Sequence, residues 1–95
     1  MPAYLIANYT ITSPEGYAEY SSLVGATLGS SGGELVVADF ACEAVEGEPA
    51  PVSVVLKFPS KQAARDWYNS DAYQAVVGLR TASTEGFLLF ADGVG

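Results

Sequence analysis

Leu56-Lys-Phe-Pro-Ser-Lys-Gln-Ala-Ala-Arg-Asp-Trp-Tyr-Asn-Ser-Asp-Ala-Tyr-Gln-Ala-Val-Val-Gly-Leu-Arg80 is the stretch whose reading decides the fold. Its start, with Val52 to Phe58, reads as a strand. Ser60 then offers an N-cap oxygen to a helix carrying Ala63, Ala64, Trp67 and Tyr68 on one side. Asn69-Ser70-Asp71 interrupts that helix. Ser70 can recap a further helical turn holding Tyr73, Val76, Val77 and Arg80.

Outward from there the pattern is equally regular. Pro2 to Thr12 alternates, with Tyr4, Ile6, Asn8 and Thr10 on one face and Leu5, Ala7, Tyr9 and Ile11 on the other. Period two with β-branched and aromatic residues is a strand. Ser13 caps the next helix, Pro14 suits its first position, and Glu15 complements its positive end. Tyr17, Tyr20, Val24 and Leu28 recur at helical spacing, and Gly29 to Gly33 stops the helix. Glu34 to Val45 reads as a second strand with a bend or bulge near Phe40 to Cys42. Gly47 to Pro51 is a turn, because proline cannot donate to a central ladder. Glu85 to Ala91 is the last strand, with Phe87 and Leu89 on one face and Leu88 and Phe90 on the other.

The order is therefore β-α-β-β-α-β, the split βαβ plan of an α+β, ferredoxin-like domain. Four strands form an antiparallel sheet with the helices on one face. The first and last strands are apolar on both faces. A sheet face left to water should be polar, so a second cover is required, and a second copy of the same sheet is the simplest one. A homodimer paired through its sheet faces is the expectation.

Several segments resemble one bacterial family, known only as domain of unknown function 1330. Ser13-Pro14-Glu15-Gly16-Tyr17 with Tyr20 looks like its first-helix opening. Gly32-Gly33 looks like its turn before the second strand, and Glu43-Ala-Val-Glu46-Gly47 like its Glu-x-x-Glu-Gly segment. Phe58-Pro59-Ser60, then Trp67-Tyr68-x-Ser70-x-x-Tyr73-Gln74 and Arg80, complete the pattern. One departure is Glu34, where the family often has a basic residue after the glycine pair. The resemblance spans nearly the whole chain and implies a single dimeric α+β barrel domain over residues 1–95. The wider superfamily of that fold includes cofactor-free monooxygenases, lactone isomerases and cyclases acting on enolisable or aromatic compounds.

Composition bounds the chemistry. Ninety-five residues make one modest core. The net charge of −7 comes from 11 acids against four bases, which disfavours nucleic acid and anionic membranes as partners. All four bases, Lys57, Lys61, Arg65 and Arg80, lie in the second half. No apolar run is long enough for a membrane span and no secretory leader is visible. Lone Cys42 cannot form an internal disulfide, and a reducing cytoplasm is the expected location. Its acidic neighbour Glu43 opposes a reactive thiolate, so a small buried hydrophobe is expected there.

With no histidine, Ser-His-Asp and Cys-His arrangements and histidine-bound metals are excluded. Gly29-Ser-Ser-Gly-Gly33 follows a helix and lacks the ending of a phosphate loop. Asp39, Glu43, Glu46 and Glu48 match no metal-loop spacing and read as a solvated acidic hairpin. No cofactor or metal is expected. What remains for chemistry is a set of phenols, amides, carboxylates and cations.

Tyr73, Arg80, Asn8, Asp39 and Glu43 are the candidate catalytic residues. In that reading Tyr73 and Asn8 donate to an oxyanion, Arg80 stabilises it, and Asp39 or Glu43 takes a proton. Trp67, Tyr68 and Lys57 are candidate ligand-binding residues for a small hydrophobic or aromatic compound between helices and sheet. Each has a structural alternative: Trp67 as core, Arg80 in a salt bridge to Asp71, Glu85 or a partner-chain carboxylate, and Asp39 with Lys57 as a cross-strand pair. A non-catalytic ligand-binding or interaction dimer is the competing reading.

Overall fold

Alternation along the first strand is visible directly in the computed structural model, which describes residues 1–95. In β1 (Ala3–Ile11), Ala3, Leu5, Ala7 and Tyr9 are buried and the residues between them are not. Ser13 caps α1 (Pro14–Leu28) by accepting from the Gly16 amide, with proline in the first turn. Gly29, at φ 36°, ends it. β2 (Glu34–Asp39) and β3 (Val52–Phe58) follow. The second helical region is three short pieces, α2 (Lys61–Tyr68), α3 (Asp71–Gln74) and α4 (Val77–Thr81). Ser60 and Ser70 cap the first two by accepting from the Ala63 and Tyr73 amides. β4 (Thr84–Asp92) closes the chain.

The four strands make one sheet in the order β2-β3-β1-β4, and every neighbouring pair is antiparallel. This is the ferredoxin-like domain expected from the order of elements. Register sorts the side chains. Leu5 lies opposite Leu56 and Phe90, Ala7 opposite Val54 and Leu88, and these face the helices. Ile6 lies opposite Val55 and Leu89, and these face away. Gly86 stands opposite Tyr9, and a Cβ there would overlap the backbone of Asn8 and Tyr9. Only glycine permits that approach.

Three expectations need correction. The second strand ends at Asp39, not Val45, because the Asp39 carboxylate accepts from the Ala41 amide and turns the chain. The irregularity lies between Leu35 and Val37 rather than at Phe40 to Cys42. Cys42 is only half-buried, in the loop between β2 and β3.

The single chain leaves its outer sheet face uncovered. Phe87 is 52% exposed, Leu89 44% and Val37 40%. This is the apolar second face the alternation implied.

Candidate functional site

The helix layer is filled unevenly. Over β1 and β4, Trp67, Tyr68 and Tyr73 form a solid aromatic block. The Trp67 and Tyr73 rings lie 4.1 Å apart, those of Tyr68 and Tyr73 5.2 Å, and those of Trp67 and Phe58 5.6 Å. Tyr73 is wholly buried. Trp67 donates its indole N–H to the Thr27 hydroxyl at 3.1 Å, which ties α2 to α1.

Under α1 the layer is hollow. A cavity of about 250 Å³ lies between α1 and strands β1, β2 and β3. Thirteen of its fifteen lining residues are hydrophobic, among them Leu5, Ala7, Val24, Leu28, Leu35, Phe40, Leu56 and Trp67. Gly25 lies on its wall, and a Cβ there would meet nothing within 4 Å. All six residues of β2 are exposed, so the hollow opens toward that edge strand.

Tyr9, Tyr17 and Tyr20 bring phenols to this apolar cavity. The Tyr9 and Tyr17 hydroxyls are 2.7 Å apart. The Tyr20 hydroxyl lies 2.9 Å from that of Tyr73, and Arg80 Nε donates to the Tyr73 oxygen at 3.3 Å. Burial first, then the neighbouring phenols, raises the Tyr9 and Tyr20 pKa values far above the ordinary phenol value. Both are donors at neutral pH and cannot serve as bases. Burial opposes the charge on Arg80, but the Tyr73 hydrogen bond and the surrounding tyrosines outweigh it, and its pKa is raised. The guanidinium is cationic.

The residues singled out from sequence fall into separate places. Trp67, Tyr68, Tyr73 and Arg80 do come together on the helix side, and of these Trp67 reaches the cavity. Arg80 has no carboxylate partner: the chain's single ion pair is Lys61 with Asp92, at 3.4 Å. Asn8 is on the other face of the sheet, opposite Ser53. Its amide donates to the Ala50 and Val52 carbonyls and the Ser53 hydroxyl, and accepts from the Ala50 amide. That amide is spent on pinning the β2–β3 loop, so Asn8 and Tyr73 do not share a site within one chain. Asp39 is exposed and opposite Ser53, and Glu43 is exposed in the loop. Lys57 lies between Tyr4 and Glu34, so it does not pair with Asp39. Asp39, Glu43, Glu46 and Glu48 do not gather into a group able to hold a metal ion.

Sequence reasoning missed Tyr9, Tyr17, Tyr20, Gly25 and Phe40 as lining residues. The available signal was three phenols on the apolar faces of β1 and α1, with a glycine in the same helix.

Fold and cavity together define an α+β half-barrel with a hollow under its first helix. The family model described as Domain of unknown function (DUF1330) matches residues 2–94, and the chain belongs to that family. No curated protein matches the sequence. Among solved structures, a protein of unknown function from Rhodopseudomonas palustris superposes with TM-score 0.81 at 18% identity, covering 99% of this chain and 83% of that one. SnoaB, a cofactor-independent oxygenase from Streptomyces nogalater, gives 0.68 at 11% identity, covering 99% and 94%. A conserved protein from Methanosarcina mazei gives 0.61 at 16% identity, covering 95% and 90%. At these identities the likeness is one of fold. No helix is long and apolar enough to cross a membrane.

Proposed function

We propose that this protein is a homodimer, paired through its outer sheet faces, in which each chain binds one small, flat, weakly polar compound under α1. The observation that carries this reading is the cavity itself: about 250 Å³, apolar, and supplied with phenol donors. Apolar walls with a few convergent polar groups are the usual make-up of a small-molecule site. The phenols suit a carbonyl or enol oxygen, and the Trp67 ring supplies a flat wall. Chemistry of the kind named for SnoaB, or an isomerase or cyclase reaction on an enolisable or aromatic compound, needs donors where negative charge develops.

One feature favours non-catalytic binding as a second reading. None of the cavity residues is a carboxylate or a lysine, and the buried phenols are too weakly acidic to serve as bases. A reaction here therefore needs a substrate acidic enough to ionise without a protein base.

Trp67 is the only tryptophan, which makes its fluorescence a direct reporter. Saturable quenching by 4-nitroanisole is expected for the parent, and its loss for Gly25→Leu, whose side chain plugs the cavity wall. Unchanged binding by that variant would remove the cavity from the proposal. For the dimer, light scattering at micromolar concentration should give twice the chain mass, and Leu89→Lys should give one chain mass. A monomeric parent would contradict the pairing.

A further inference from the structure

The chain of hydroxyls behind the cavity has a direction. Arg80 is nine-tenths buried, being 8% exposed, and a guanidinium can only donate. Its Nε–H takes one lone pair of the Tyr73 oxygen. Tyr73 is 0% exposed, and the only other hydroxyl within hydrogen-bond distance of its own is that of Tyr20. A buried O–H left without an acceptor costs about 1–3 kcal/mol. The Tyr73 proton therefore points to the Tyr20 oxygen. Tyr20 then accepts from Tyr73, and its own proton is left over. Tyr20 lines the cavity.

Charge runs the same way. Arg80 has no carboxylate in ion-pair contact; the groups around it are the phenols of Tyr73 from α3, Tyr20 from α1 and Tyr68 from α2, and its charge also acts on Tyr9 from β1. Tyr17, from α1, is hydrogen-bonded to Tyr9. No acid or other base lines the cavity. Arg80 does not itself line the cavity; its charge reaches the cavity wall through Tyr73 and Tyr20.

Resting on the cavity as the ligand site, we infer that it selects the monoanionic form of an aromatic or enolic hydroxyl compound, with Tyr20 as the donor to its oxygen and Arg80 and Tyr73 as positioning residues that orient that donor. The ligand is recognised as phenolate or enolate, not as the neutral hydroxyl compound. A neutral phenol would bring a second proton to an oxygen already facing the proton of Tyr20.

The test uses two probes that share a nitrophenyl ring and differ by one methyl group. 4-Nitrophenol ionises near neutral pH and its phenolate is coloured, whereas 4-nitroanisole cannot ionise. Both are titrated across pH by absorbance and by Trp67 fluorescence. The phenolate is expected to bind about ten-fold tighter than the phenol, so the bound probe stays coloured about one pH unit lower than the free probe. Tyr20→Phe, Tyr73→Phe and Arg80→Met should each abolish that preference, and the two outside the cavity lining, Tyr73→Phe and Arg80→Met, should leave 4-nitroanisole binding within about two-fold. Tyr73→Phe keeps the ring and so separates proton orientation from packing. Equal binding of phenol and phenolate, or a phenolate preference that survives Tyr73→Phe and Arg80→Met, would overturn the inference while leaving the cavity as a ligand site. Failure of both probes to bind would overturn both.

Discussion

The two halves of the helix layer are built from similar residues and end in opposite states. Over β1 and β4, the pieces α2 to α4 press Trp67, Tyr68 and Tyr73 into a block with ring spacings down to 4.1 Å. Over β2 and β3, helix α1 spans a hollow of about 250 Å³, and more of its backbone lies beside α4 and α3 than beside any strand. The sizes of the facing residues account for the difference. The packed half fills its space with indole and phenol rings. The hollow half puts Ala7, Ser21, Gly25 and Ala38 around its space. Well-packed interiors leave few voids larger than a water molecule. The hollow under α1 opens at the β2 edge, so it is a pocket that a ligand can enter rather than a sealed void.

The largest expected contrast between the halves is in truncation. Tyr73→Ala should cost about 3–5 kcal/mol in chemical denaturation, because it empties a filled site and strands the hydroxyls of Arg80's chain. Val24→Ala, on the cavity wall, should cost under about 1.5 kcal/mol, since much of its surface faces no partner atoms. Equal losses would erase the distinction between solid and hollow.

Alkaline pH probes the phenols shared by both halves. Burial holds Tyr9 and Tyr20 neutral above the ordinary phenol value of 10.0. The unfolded chain ionises them near that value and the native chain does not. Above it the unfolded state binds fewer protons, so stability falls as pH rises. Melting temperature should decline between about pH 9 and pH 11, with tyrosinate absorbance from these two residues appearing only on unfolding. Early tyrosinate absorbance in the folded protein would place them in water.

A smaller effect sharpens the same comparison. Gly25→Ala should raise stability by about 1 kcal/mol, since Ala is the better helix former and its Cβ meets open space. Gly78 of α4 also has open space around a Cβ, so the readout that separates the two is 4-nitroanisole binding, which only the change at Gly25, on the cavity wall, should weaken.

Most of the fold was legible before any coordinates. Strand alternation in β1 and the Ser13, Ser60 and Ser70 caps are local signals, and local signals survive in sequence. That both sheet faces are apolar was legible too, because period two puts Phe87 and Leu89 on one side of β4 and Leu88 and Phe90 on the other; that Ile6 shares the side of Leu89 is set by register. The site was legible only in part. Trp67, Tyr73 and Arg80 lie close enough in sequence to be read as one group. Asn8 read as a mid-strand amide that bonds locally, faces the dimer seam or points into a pocket, and the β2–β3 loop folding back onto it decides for bonding within the chain. Register and loop return are long-range facts that no spacing encodes. The hollow itself escaped because a void is the absence of side chains, and only Gly25 hinted at it.

The central claim is that the space under α1 is a ligand site. Methyl NMR of the protein titrated with 4-nitroanisole tests it most directly. Shifts are expected at Val24, Leu28, Leu35 and Val54, with Val76, Val77 and Leu88 of the packed half unmoved. No shifts at saturating probe, or shifts confined to Ile6, Val55 and Leu89 on the outer face, would contradict it.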